Sequence, residues 1–150
     1  MEIIIIFLGI LVDRLTKIWA TNSLSKIGEI KIIENYFSFY YLENKGAAFG
    51  ILKNKLFFLS IITLVVLGIM IYYIVVKKPK STILRWSLSL IIAGAVGNFI
   101  DRIYYKYVID FILLHYKDIY YYPVFNVADI LVCIGTFLLI IYLIKEDKNE

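Results

Sequence analysis

Residues 56–76 form a run of 21 positions with no ionisable group except tyrosine. A helix crosses the hydrocarbon core of a bilayer in about 20 mostly apolar residues, and a helix apolar on every side has no water-facing surface to offer. The segment therefore reads as a membrane span. Two further stretches have similar length. Residues 81–103 hold Arg85 near one end and Asp101 with Arg102 near the other, and residues 125–144 hold one charge, Asp129. The N-terminal stretch 3–12 is solidly apolar, with Glu2 before it and Asp13, Arg14 and Lys17 behind it. A cleavable signal peptide has its positive charge in front and small residues after the apolar core. Here that order is reversed, which predicts an uncleaved first span over residues 2–20. The chain reads as an all-α membrane protein: a single integral membrane domain over 1–150, built as a bundle of four transmembrane helices at about 2–20, 56–76, 81–103 and 125–144.

Composition excludes the competing classes. Hydrophobic residues make up 61% of the chain and charged residues 19%, against roughly 45–50% and 25% in soluble domains. Too little polar surface remains to coat a water-soluble globule, and an aromatic content of 17% excludes disorder. One cysteine, Cys133, and one histidine, His115, supply neither a disulfide framework nor a structural zinc site. The net charge of +4 is scattered among apolar segments, so it is no nucleic-acid footprint.

Loop charge sets the expected orientation. Lys77, Lys78, Lys80 and Arg85 place four positive charges and no acid within nine residues, and short basic loops stay in the cytoplasm. The 35-residue loop 21–55 mixes five lysines with Glu29, Glu34 and Glu43. Both termini are then cytoplasmic, and loops 21–55 and 104–124 lie outside. In the outer loops, residues 29–42 are β-branched and aromatic with partial alternation, which predicts one or two short strands. Residues 104–122 contain seven of the thirteen tyrosines, most of them read as anchors at the headgroup level.

That topology gathers the unusual polar residues at one depth. Asp13, Arg14 and Lys17 end the first span, Asn98, Asp101 and Arg102 end the third, and Asn126 and Asp129 begin the fourth. Spacings of i,i+3 and i,i+4 put each set on one helix face. Asp13 and Lys17 can pair within their own helix. Asp129 has no basic residue at i±3 or i±4, so it needs a partner from elsewhere, water or a proton. No HExxH sequence is present, Cys133 reads as a small packing residue, and His115 reads as a solvated loop residue. What remains in quantity is carboxylate: Asp13, Asp101, Asp110, Asp118 and Asp129. Two carboxyl groups sharing a proton can activate water and protonate a leaving amine. By periodicity alone the pair is Asp101 with Asp129, and Asp110 passes as a loop residue.

Five blocks, in order, give the chain a specific resemblance: Asp13-Arg14-Leu15-Thr16-Lys17; Asn44-Lys45-Gly46-Ala47-Ala48-Phe49-Gly50; Gly94-Ala95-Val96-Gly97-Asn98-Phe99-Ile100-Asp101-Arg102; Val108-Ile109-Asp110-Phe111; and Phe125-Asn126-Val127-Ala128-Asp129. The sequence resembles the lipoprotein signal peptidase (signal peptidase II) family of bacterial intramembrane aspartyl proteases. The resemblance implies Asp110 and Asp129 as the catalytic pair, which displaces the periodicity-based choice. It implies that Asp101 and Arg102 support the site, with Arg102 donating to a substrate carbonyl. It further implies that Asn44, Asn98 and Asn126 hold peptide backbone or orient the aspartates, and that Asp13 and Lys17 are neighbours of the site. Gly46 and Gly50 are expected at turns or close approaches, and Gly94 and Gly97 on a small helix-packing face.

The implied activity is endoproteolysis of diacylglyceryl-modified prolipoproteins just before the lipidated cysteine, in the bacterial cytoplasmic (inner) membrane and near its outer face. The implied enzyme works as a monomer among membrane lipids, with no metal or organic cofactor and no nucleic acid. A small proton- or ion-coupled transporter is the alternative. It prefers acids near the midplane and repeated halves, neither of which the sequence displays. A purely structural membrane subunit leaves Asn126, Asp129 and the outer aspartates without a role.

Overall fold

A computed structural model of the chain describes residues 1–46 and 55–147. Helix α1 (Glu2–Trp19) widens into a π-helical turn, Ala20–Leu24, and ends in the single turn α2 (Ser25–Ile27). Gly28, at φ +86°, reverses the chain in a conformation that residues bearing a Cβ rarely adopt. Strands β1 (Glu29–Ile33) and β2 (Phe37–Asn44) follow as an antiparallel hairpin. Helix α3 (Leu56–Tyr72), extended by a π-helical turn at Tyr73–Lys77, leads to α4 (Thr82–Tyr104). Strands β3 (Val108–Tyr116) and β4 (Tyr120–Tyr121) and the long helix α5 (Val127–Asp147) complete the chain.

The helix limits lie within a few residues of those expected from the apolar runs. Three of the described helices, Leu56–Lys77, Thr82–Tyr104 and Val127–Glu146, are long and apolar enough to cross a membrane. Helix α1 spans 18 residues but includes Glu2, Asp13, Arg14 and Lys17. The β content exceeds the one or two short strands expected, because loop 104–124 also contributes. The sheet has four antiparallel strands in the order β1-β2-β3-β4.

Helix α4 is the centre of the bundle and packs on α1, α3 and α5. Its buried residues combine apolar Leu84, Leu88, Ile91 and Ile92 with the small or polar Ser87, Ser89, Ala93, Gly94, Gly97, Asn98 and Asp101. Without a hydrophobic drive between helices in lipid, close backbone approach supplies the packing energy. A Cβ on Gly94 would fall 2.2 Å from the Ala128 carbonyl oxygen, and one on Gly97 would fall 2.5 Å from Asp13 Oδ2. The small face expected at Gly94 and Gly97 is therefore where α5 and α1 close on α4. The outer faces stay apolar and exposed, as at Ile3, Phe7, Phe57 and Phe137. Cys133 is among them, exposed on α5 rather than packed inside.

The sheet sits over one end of the bundle. Ala20, Leu24, Ile109 and Phe111 form its buried core, and Trp19 meets Phe39 and Phe111 edge-on at 5.2 and 6.1 Å. Strand β3 is fastened to the start of α5: Phe111 and Ile112 donate to the Phe125 carbonyl at 3.0 and 2.8 Å, and Phe125 donates to the Ile112 carbonyl at 3.0 Å. That suture brings Asp110 beside the first turn of α5.

Candidate active site

Four charges that the sequence places on two helices close into one ring. Arg14 Nη2 lies 2.9 Å from Asp13 Oδ2 and its Nη1 lies 2.7 Å from Asp101 Oδ1, while Lys17 Nζ lies 3.2 Å from Asp13 Oδ2 and 2.7 Å from Asp101 Oδ2. Each cation touches each anion, and the ring is neutral as a whole. Asp13, Lys17 and Asp101 are at most 1% exposed; alternating charge is what makes such burial affordable. The carboxylates also hold backbone. Asp13 Oδ1 accepts from the Ala128 amide at 3.1 Å, capping the first turn of α5, and Asp101 Oδ2 accepts from the Ile109 amide at 3.2 Å, next to Asp110.

Asn126 and Asp129 build the other half locally. The Asp129 amide donates to Asn126 Oδ1 at 2.9 Å and the Asn126 amide donates to Asp129 Oδ2 at 3.1 Å, the reciprocal arrangement of a capping box. With its oxygen held there, Asn126 turns Nδ2 toward Asp110 Oδ1 at 2.6 Å. The strand register brings in Asn44. It lies opposite Val108, so Asp110, two residues on, is its diagonal neighbour on the same face. Asn44 Nδ2 donates to Asp110 Oδ2 at 2.8 Å, and its Oδ1 accepts from the Gly46 amide at 2.9 Å. Asn98 completes the set, donating to Asp129 Oδ1 at 2.7 Å while its own Oδ1 accepts from Lys17 Nζ at 2.9 Å. All three amide oxygens are tied to groups that can only donate: a backbone N–H for Asn44 and Asn126, an ammonium for Asn98. The polarity of each amide is thereby fixed, with its NH₂ edge toward a carboxyl group.

Cation contact separates the four carboxyl groups of the network, of which Asp13, Asp101 and Asp110 are buried and Asp129 half-buried. Asp13 and Asp101 each touch two cations, whereas Asp110 and Asp129 have no ion pair among the described residues. Burial, and next the negative charge of Asp129, push the Asp110 carboxyl up to about 7, although the Asn44 and Asn126 hydrogen bonds and the Lys17 charge oppose them. Arg102 lies within the electrostatic influence of Asp129, Asp101 and Asp110 and has no hydrogen bond or ion pair among the described residues. Its Nε is buried without a partner. Two coupled carboxyl groups beside an uncommitted guanidinium have the makings of acid–base chemistry on a polar bond.

Comparison with known proteins identifies the family. The family model described as signal peptidase (SPase) II matches residues 5–145. The chain belongs to the signal peptidase II family. It is 58% identical to the lipoprotein signal peptidase of Clostridium tetani over 150 residues, covering 100% of this chain and 96% of that one. It is 55% identical to the lipoprotein signal peptidase of Clostridium acetobutylicum, covering 100% and 98%. A solved bacterial membrane enzyme superposes with a TM-score of 0.89 at 34% identity, over 99% of this chain and 90% of that chain. Family membership makes this chain a membrane-bound peptidase, and nothing supports the transporter alternative.

Within this signal peptidase II chain the structure brings Asp13, Lys17, Asn44, Asn98, Asp101, Asp110, Asn126 and Asp129 into one connected network. Asp101, which periodicity pairs with Asp129, is ion-paired with Arg14 and Lys17, whereas Asp110 on β3 and Asp129 on α5 have no ion pair among the described residues. Lys17 is not confined to its i,i+4 bond with Asp13, because α4 supplies two further partners. Arg14, half of the cation content of the ring, is the residue that reading by motif left without a role; its position beside Asp13 is the signal that was there. Gly46 is buried and serves through its amide. Gly50, with Ala47, Ala48 and Phe49, falls outside the described residues. His115 is half-buried, stacked on Tyr121 at 5.3 Å and distant from this network in its contacts.

Proposed function

We propose that this chain is an aspartic endopeptidase that cleaves diacylglyceryl-modified prolipoproteins just before the modified cysteine, with Asp110 and Asp129 as the reacting pair. The observation behind this reading is that buried Asp110 and half-buried Asp129 have no cation partner among the described residues, while their neighbours Asp13 and Asp101 have two each. Asp110 holds the proton, in keeping with its raised pKa. Asp129 is the carboxylate, placed in the first turn of α5 where the helix dipole favours negative charge. A water gives its proton to Asp129 as its oxygen attacks the scissile carbonyl carbon, and Asp110 delivers its proton to the carbonyl oxygen. As the C–N bond breaks, Asp129 protonates the leaving nitrogen and Asp110 recovers a proton from the diol, which restores the resting state. Arg102 and the NH₂ edges of the asparagines steady the substrate carbonyl and the two carboxyl groups.

Helix α1 acts as the fourth span, its charges neutralised in the ring with α4, and the basic 77–85 connection faces the cytoplasm. The acyl chains of the substrate stay in the bilayer while the peptide bond rests at the outer interface. The test uses purified protein with two precursors, one diacylglyceryl-modified and one unmodified, and mass analysis of the products. Cleavage before the cysteine in the modified precursor, with little in the unmodified one, is expected. Equal rates on both, or cleavage elsewhere, would refute it.

A further inference from the structure

At the opposite end of the bundle from the aspartates, the ends of α3, α4 and α5 leave two clefts on either side of Pro79. The larger, about 590 Å³, is lined by Tyr73, Lys80, Ser81, Ile83, Tyr142 and Lys145, among others. The smaller, about 290 Å³, is lined by Glu2, Ile74, Lys78, Pro79 and Arg85. Three membrane-spanning helices begin or end at this level, at Lys77, Thr82 and Glu146, so the clefts lie in the plane of lipid headgroups.

Their charge is uneven. In the smaller cleft Arg85 is paired with Glu2. In the larger, Glu146 accepts a hydrogen bond from the Tyr142 hydroxyl. Lys78 and Lys80 have no partner among the described residues, and they flank Pro79 with two uncompensated ammonium groups. The bridge between them is conformationally set: Lys78 sits in the left-handed region at φ 47°, proline fixes its own φ, and Ser81 caps α4 by accepting from the Leu84 amide at 3.4 Å. Ser81 retains its own O–H to donate. The first-turn amides of α4 lie at the same point and favour an anion.

We propose that the clefts flanking Pro79 bind the phosphate headgroup of an anionic glycerophospholipid, with Lys78 and Lys80 on the phosphate and Ser81 donating to it. Apolar Ile74 and Ile83 and the rings of Tyr73 and Tyr142 give the glycerol and upper acyl carbons an apolar wall, which a free phosphate has no use for. The negative net charge of the headgroup matches the two lysines, and a choline headgroup would bring a cation against them.

The full chain in neutral detergent, titrated with phosphatidylglycerol or phosphatidylcholine and read by native mass spectrometry, tests this. Phosphatidylglycerol is expected to be retained preferentially. In the K78Q/K80Q variant its retention should weaken about fivefold per lysine, roughly 25-fold in all, while a K26Q/K31Q control of equal charge change is unaffected. Both pairs of side chains are exposed, so both variants keep the fold, and precursor cleavage in neutral detergent stays unchanged. Equal retention of the two lipids, equal loss in the control, no loss in K78Q/K80Q, or displacement of the lipid by glycerol 3-phosphate would each overturn the proposal.

Discussion

At the scale of single residues, the site divides into charges that are neutralised and charges that are not. Lys17 belongs to the first group. Removing one member of a buried ion-pair network leaves an uncompensated charge, which costs about 3–5 kcal/mol. Lys17→Met should therefore lower the unfolding temperature in detergent markedly, and adding Asp101→Asn should recover part of the loss. Arg102 belongs to the second group. Arg102→Ala breaks no ion pair or hydrogen bond among the described residues, so it should lower the unfolding temperature less than Lys17→Met does, and slow precursor cleavage tenfold or more. Asp110 has a pH signature of its own. Its folded-state pKa, up to about 7, lies above the ordinary carboxylate value of 3.8, so the folded chain keeps a proton that the unfolded chain has released. Stability contributed by that group is present below about pH 4 and is lost as pH rises to about 7, by at most about 4 kcal/mol. Unfolding curves between pH 4 and 8 should show this slope, and Asp110→Asn should flatten it. In the same way kcat/KM should fall above about pH 7 as the shared proton leaves; activity that stays level to pH 9 would contradict the assignment of that proton to Asp110.

At the scale of elements, α4 is held by the absence of side chains. Gly94→Ala places a Cβ 2.2 Å from the Ala128 carbonyl oxygen, and such overpacking costs about 1–3 kcal/mol. Gly68→Ala on α3 meets nothing within 4 Å and should keep or raise stability, by up to about 1 kcal/mol from helix propensity. Thermal unfolding of the two variants side by side separates packing from propensity. The helices were legible in the sequence because apolar length is a local property. Strand β3 was not. Its pairing with β2 spans the whole of α3 and α4, and in Val108–Tyr116 apolar residues fall on both faces, so no period of two marks it. The site shows the same division. The Asn126–Asp129 capping box is local and its spacing reads directly, whereas the ring through Asp101 needs Arg14 and Lys17 from another helix. Asp110 became visible only through its motif, because a strand sutured to the start of α5 has no signature in neighbouring residues.

At the scale of the whole molecule, a neutral ring of charges ties α1 to α4, a sheet covers that end, and a basic rim marks the other. With the basic rim inside, a cysteine at Lys31→Cys in β1 should react with an impermeant thiol reagent added to intact cells, and one at Lys78→Cys should not. The reverse pattern would invert the orientation. The account depends above all on the Asp110–Asp129 pair. Its most direct measurement is single-turnover cleavage of a diacylglyceryl-modified precursor by Asp110→Asn, Asp129→Asn and Asp101→Asn, each with precursor binding measured alongside. Either change in the pair should abolish cleavage while binding persists, and Asp101→Asn should give a partial loss. Near-normal cleavage by Asp110→Asn or Asp129→Asn would contradict the account, as would an inactive Asp101→Asn beside an active Asp110→Asn.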